Sequence, residues 1–296
     1  MVHRLRIVGA CALAAVAACS SELTAPDAAA PALALASATS DGGRTIVTES
    51  DVTRQPENTP PTDNWVLYTR PGTATGVFVS GPRHPPLGVG SFRMTTPLAT
   101  DKVTLFNYDH IGTRLAAIDQ IAYSTYRDPA STANPVQLPS INIEVDYNGA
   151  APGGFTTLVF EPVYNPDQGP IQAGVWQEWD GDAGIWWSTR PINGVCAFTC
   201  YVSWDDIVAA NPDAVILGGF GVNQGSGNGG LIAATDALTL GYSGETVIYD
   251  FEPFRSPSAK DDCKNGGWKD LRAADGSPFK NQGQCIKYVN ETSRGR

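Results

Sequence analysis

The sequence predicts an all-β protein, and three observations carry that expectation. Short runs rich in β-branched and aromatic residues recur between turn residues, at 45–48, 65–70, 76–79, 91–95, 103–107, 121–126, 141–146, 156–160, 175–179, 197–202, 215–222, 237–240 and 246–251. The chain holds 31 Gly and 22 Pro but only 17% charged residues, a composition of strands broken by turns. No long helical period separates the runs, which favours a sandwich or barrel over an α/β fold.

At the N-terminus, Arg4 and Arg6 precede a short apolar run from Ile7 to Ala17. A helix needs about 20 residues to span a bilayer, so this run reads as the core of a secretory signal. It ends in Val16-Ala17-Ala18-Cys19, which resembles the bacterial lipobox, where cleavage precedes a cysteine that receives a lipid. The expectation is a signal peptide over 1–18 and a lipid on Cys19; ordinary cleavage after Ala17, with Cys19 left as a free thiol, is the alternative. The protein would then be exported and held at a bacterial membrane, outer membrane or cell surface, by its lipid alone. Residues 19–43, dominated by Ala, Ser, Pro and Thr and free of aromatics, read as a disordered tether.

The main domain is expected over 44–254. Within it Ile141 to Asp146 alternates cleanly between apolar and polar, the mark of a half-buried antiparallel strand. Ser203 is a helix cap with Asp206 three residues on, and Asn211-Pro212 stops that short helix; 113–118 is a second short turn of helix. From Ser20 to Phe254 there are 9 basic and 25 acidic residues. That balance argues against nucleic acid, whose binding depends on neutralising phosphates.

Residues 255–296 form a basic segment bracketed by Cys263 and Cys285, with 9 basic and 5 acidic residues. Some 40 residues build little core, so a disulfide would be the main staple. For an exported chain the local pairings Cys196–Cys200 and Cys263–Cys285 are the natural reading, although four cysteines allow three connectivities. A zinc site is disfavoured by the spacing and by the scarcity of histidine.

Gly90 to Met94, Leu115 to Tyr126 and Ile141 to Asp146 together resemble the first half of bacterial jelly-roll modules of the carbohydrate-binding and concanavalin-like kind. Through 155–164 and 217–227 the body is also similar to secreted bacterial proteins with no assigned activity, over about 44–253. The resemblance implies an antiparallel jelly-roll sandwich with one or two short helices. The tail, with Cys263-Lys264-Asn265-Gly266-Gly267-Trp268 and Asn281-Gln282-Gly283-Gln284-Cys285, resembles a short C-terminal segment of secreted bacterial proteins.

The stretch 174–187 holds four of the seven tryptophans among acids and amides. On a strand Trp176, Glu178 and Asp180 share one face and Trp179 the other, while adjacent Trp186 and Trp187 point opposite ways. Exposed indoles beside carboxylates hold sugars by stacking on C–H faces while polar groups take the hydroxyls; core packing is the competing account. Asn223 and Gln224, in the glycine-rich run 218–230, are further glycan candidates on what reads as a flexible turn. A structural calcium is conceivable at Asp180, Asp182 and Asp250, with Glu252 as another donor, although the calcium-loop pattern is incomplete; no other cofactor is expected.

Glu144-Val145-Asp146 resembles the opening of the catalytic strand of laminarinase-type hydrolases, but Asn148 and Gly149 stand where the second glutamate belongs. No nucleophile elbow accompanies Asp109-His110. The sequence therefore points to a non-catalytic module for polysaccharide or envelope glycan. A polysaccharide hydrolase or lyase is the alternative, and a structural or adhesive envelope protein a third.

Overall fold

The computed structural model describes residues 43–149, 153–195 and 197–293. The expected signal peptide, most of the expected tether, Cys19 and Cys196 lie outside them. No helix among the described residues is long and apolar enough to cross a membrane.

The strands are β1 (Arg44–Val47), β2 (Val52–Pro56), β3 (Trp65–Thr69), β4 (Thr75–Ser80), β5 (Gly90–Thr96), β6 (Lys102–Asn107), β7 (Ile118–Arg127) and β8 (Ser140–Asp146). They continue as β9 (Phe155–Phe160), β10 (Trp176–Asp180), β11 (Ile185–Ser188), β12 (Val202–Ser203), β13 (Val215–Gly225), β14 (Leu231–Tyr242) and β15 (Glu245–Phe251). One sheet runs β12-β11-β9-β8-β13-β6-β3-β2. The other is built around the long β14, which carries β7 and then β10 on one flank. On its opposite flank β14 pairs with β5 through Leu231–Thr235 and with β15 through Leu238–Tyr242. The two sheets pack as the expected jelly-roll sandwich. Pairing is antiparallel except at two edges, where β1 lies parallel to β15 and β2 parallel to β3.

Period-2 alternation builds the core. Ile141, Ile143 and Val145 of β8 are fully buried between the sheets, while Asn142, Glu144 and Asp146 face outward. Phe92, Phe160, Phe220, Phe251, Trp179, Trp186 and Tyr123 fill the centre with no exposed surface. Each such aromatic contributes roughly 1.5–3 kcal/mol by leaving water. Val66, Tyr68, Phe106 and Tyr108 form a second apolar cluster on the outer face of the eight-stranded sheet.

Helix α1 (Trp204–Ala210) begins where expected, with Ser203 Oγ accepting the Asp206 amide at 3.2 Å, and its C-cap is Asn211. The 113–118 turn is a short 3-10 segment, Leu115–Ala117. Helix α2 (Gln282–Thr292) was not expected; its cap is Asn281, whose Oδ1 accepts the Gln284 amide at 2.9 Å. β2 and β11 are likewise additional to the expected strands, and the run 197–202 is mostly turn, with strand only at Val202–Ser203.

The glycine-rich run is a turn only at its end, since β13 extends to Gly225. A Cβ on Gly219 would stand 2.3 Å from the Phe106 ring, and one on Gly218 2.2 Å from Glu144 Oε2. Glycine is required there by close approach within a strand rather than by turn flexibility.

The tail has its own small core of Cys263, Phe279, Cys285 and Val289, against which Trp268, Leu271, Ile286 and Tyr288 pack. Cys263 and Cys285 are disulfide-bonded. Arg255 ties the tail's start to Asp51 at 2.6 Å.

Candidate functional site

The four tryptophans of 174–187 do not form one platform. β10 joins β7 in one sheet, and β11 joins β9 in the other. Trp179 is fully buried with its indole N–H on Thr125 Oγ1 at 2.7 Å. Trp186 is also fully buried, donating to the Gly181 carbonyl at 2.8 Å and packing on Phe160 and Trp204. Both belong to the core. So does Gln224, 1% exposed, whose Nε2 donates to Thr96 Oγ1 and the Leu231 carbonyl. The expectation that these three meet a ligand is corrected: the pleat turns each of them inward.

Trp176, Glu178 and Asp180 do share an outward face, on the seven-stranded sheet. Trp176 is half-buried against Tyr126, and its indole N–H donates to the Pro82 carbonyl at 3.0 Å. Glu178 and Asp180 are exposed beside Asp119 and Asp182. The calcium candidates do not converge: Asp182 Oδ1 accepts the Ile121 amide at 2.6 Å, while Asp250 lies on β15 and is held by Arg44. Glu252, two residues on, accepts the Val89 amide at 2.7 Å. No group of three or more His, Cys, Asp or Glu suited to a metal exists among the described residues.

Trp187 is the tryptophan that reaches the outer face of the eight-stranded sheet, and a ring cluster surrounds it. Its indole stacks on Phe198 at 5.6 Å with planes 37° apart. Tyr164 and Tyr201 stack at 4.3 Å and 34°. Phe198 is 60% exposed, and the two tyrosines are exposed as well. Four rings thus present faces at one end of the sheet.

The chain holds these rings by specific local devices. Phe198 sits at φ 60°, a left-handed conformation uncommon for a large side chain and costly to keep. Its amide donates to the Ser188 carbonyl at 3.0 Å, which pins the loop against β11. Cys200, two residues later, is disulfide-bonded; its expected partner Cys196 is outside the described residues. Tyr164 ends the short 3-10 turn Pro162–Tyr164 that follows β9.

Glu161 lies at the centre of the cluster. The Trp187 indole N–H donates to its Oε2 at 2.8 Å. Burial raises its carboxyl above the ordinary range, and the indole bond only partly offsets this. Tyr164 feels the same charge: its hydrogen bond with Tyr201, then burial, then Glu161 push its hydroxyl up to about 12.

The face continues from these rings as a polar floor. Trp187 pairs across the ladder with Val159, Val159 with Asn142, Asn142 with Gly221, and Gly221 with Phe106. Beside that row, Thr104 Oγ1 donates to Asn223 Oδ1 at 2.9 Å and Ser140 Oγ to Asn142 Oδ1 at 2.8 Å. Asn223, expected as a ligand contact, is on this floor and half-buried. Further along, Glu144 Oε2 accepts the Gly219 amide at 2.8 Å, and the Tyr68 and Tyr108 hydroxyls share a hydrogen bond of 3.0 Å. Burial raises the Glu144 carboxyl, with the Gly219 bond and then Lys102 acting against it. Lys102 and Arg70 are both bound to Glu57, at 2.8 and 2.7 Å.

Sequence reasoning located Trp187 and Asn223 but not Phe198, Tyr164, Tyr201 or Glu161. The signal for Phe198 was present: a large aromatic inside a five-residue bracket of cysteines is held where it cannot retreat into the core. Glu161 and Tyr164 carried no such mark: the β9–β11 pairing brings Glu161 beside Trp187, and the return of the 197–201 loop brings Tyr201 onto Tyr164.

The fold and site define a β-sandwich with an aromatic, carboxylate-bearing outer face. Compared with known proteins, the chain matches no protein family, curated protein or solved structure.

Proposed function

We propose that the protein is a non-catalytic glycan-binding module that uses the outer face of its eight-stranded sheet. The observation that carries this reading is the pair of ring stacks beside Glu161, the half-buried Trp187 on the exposed Phe198 and Tyr164 on Tyr201. Grouped exposed rings mark interaction sites, and flat C–H faces of sugars fit them while Glu161, Asn142 and Asn223 take hydroxyls. The lipid on Cys19 and export to the envelope complete the proposal, supported by the terminal motif and by the Cys263–Cys285 disulfide, a bond suited to an oxidising compartment. Affinity electrophoresis of the purified protein in gels containing plant, fungal and bacterial-envelope polysaccharides tests it. Retardation by at least one polymer, lost in Phe198→Ala and Trp187→Ala proteins that still fold, is the expected result. Equal mobility in every gel would overturn it.

A second reading draws on Glu144. A desolvated carboxyl beside the Tyr68–Tyr108 hydroxyl pair would serve as the acid–base group for polysaccharide cleavage. Appearance of reducing ends or unsaturated products, abolished by Glu144→Gln, would establish that reading in place of the first.

A further inference from the structure

We infer that the glycan this face takes carries free amino groups, and that Glu161 is the residue that receives an ammonium from it. The inference rests on the glycan reading above and adds the ligand's charge to it.

Glu161 is a carboxylate prepared for a cation that the protein does not supply. One oxygen accepts the Trp187 indole N–H; among the described residues no donor reaches the other, and no lysine, arginine or histidine pairs with the side chain. Glu144 repeats the pattern: one oxygen rests on the Gly219 amide, with no ion pair formed. The nearby cations are already engaged. Lys102 and Arg70 both hold Glu57, and Arg190 lies over the Phe155 ring at 4.9 Å from its centroid.

Three ligand classes meet this face differently. A polymer of uronic or sulfated sugars would set its anions against the like charges of Glu161 and Glu144. A neutral glycan would stack on the rings but leave the second Glu161 oxygen to water. An amino sugar satisfies both features, because an ammonium gains from the carboxylate and from the ring faces around it. The protein's net charge of −10 attracts such a ligand and repels an anionic one. Glu161 follows β9 directly, while Glu144 pairs with Thr157 four residues earlier, which sets the two carboxylates about 13 Å apart along the strand direction. That span suits a short oligosaccharide better than a single ring.

Isothermal titration of the full chain with a tetramer of β-1,4-linked glucosamine, its N-acetylated form, cellotetraose and tetragalacturonate at one ionic strength tests the inference. The glucosamine tetramer is expected to bind at least about tenfold tighter than cellotetraose, with no binding of tetragalacturonate. Glu161→Gln keeps an acceptor for the Trp187 indole and should bring the glucosamine tetramer and cellotetraose within about threefold of each other; Phe198→Ala should weaken both. Cellotetraose or the N-acetylated tetramer binding as tightly as the amine, or a preference that survives in a folded Glu161→Gln protein, would overturn the inference while leaving the glycan reading intact. Failure of every oligosaccharide to bind the unaltered protein would overturn both.

Discussion

Trp186 and Trp187 are consecutive residues whose indoles end on opposite sides of one sheet: Trp186 donates inward to the Gly181 carbonyl, and Trp187 donates outward to Glu161. One ring is sealed between the sheets and the other is half-buried under Phe198. The same substitution at the two positions therefore removes different things. Trp186→Ala should lower unfolding free energy by about 3–5 kcal/mol through the cavity it leaves. Trp187→Ala should cost far less and abolish retention by polysaccharide. Urea unfolding and affinity electrophoresis of both proteins separate the effects, and an equal loss of stability would show that the outer ring is structural.

The opposition of these two rings was legible in the sequence, as was the shared face of Trp176, Glu178 and Asp180, because strand side chains alternate whatever the tertiary fold. What could not be read was the sheet each strand joins. The connection 181–184 carries the chain from the seven-stranded to the eight-stranded sheet, so Trp176 and Trp187 face away from each other across the sandwich. Trp179 and Gln224 were misplaced for a related reason. A polar neighbourhood in sequence does not predict exposure when Thr125 Oγ1 and Thr96 Oγ1 wait inside to receive the indole and amide donors.

The floor of the candidate site depends on Gly219. Its amide bonds Glu144, and the Phe106 ring lies where a side chain would begin. Gly219→Ala should destabilise the protein by about 1–3 kcal/mol through displacement of Phe106. Gly218→Ala meets mainly the movable end of Glu144 and should cost less. Thermal denaturation of the two variants should rank them in that order; the reverse ranking would mean that Phe106 yields more readily than the Glu144 side chain.

The tail should respond to reduction independently of the sandwich. Its core is separate, and the Cys263–Cys285 bond closes a loop with a sequence separation of 22 residues. Replacing both cysteines by serine should remove about 3 kcal/mol from the tail alone. Limited proteolysis should then release fragments from residues 256–293 while the sandwich melts at an unchanged temperature. A lowered melting temperature would show that the tail braces the sandwich beyond the Arg255–Asp51 ion pair.

The clearest pH dependence of stability should come from the buried acids of β14 and β15. Asp236 is fully buried, accepting the Phe251 amide on Oδ1 and the Leu87 amide on Oδ2 at 3.1 and 3.0 Å. Burial, then the charge of Asp250, raise its carboxyl to about 8. The same causes raise Glu252 to about 7, against the Val89 and Gly90 amides and Arg44. Both groups therefore hold protons in the fold that the unfolded chain has released by about pH 5. The stability they contribute is complete at low pH and is lost as pH rises toward 7 and 8. His110 works in the opposite direction: burial lowers it to about 4, so its share is lost as pH falls from 6.5 toward 4. Above pH 6.5 that opposition ends, and the urea midpoint should fall steadily up to about pH 8, as the unfolding free energy drops by at most about 1.4 kcal/mol per pH unit for each carboxyl. Asp236→Asn should flatten this slope whatever its effect on absolute stability. A midpoint that stays constant or rises between pH 6.5 and 8 would show that Arg44 and the backbone amides keep these carboxylates ionised in the fold.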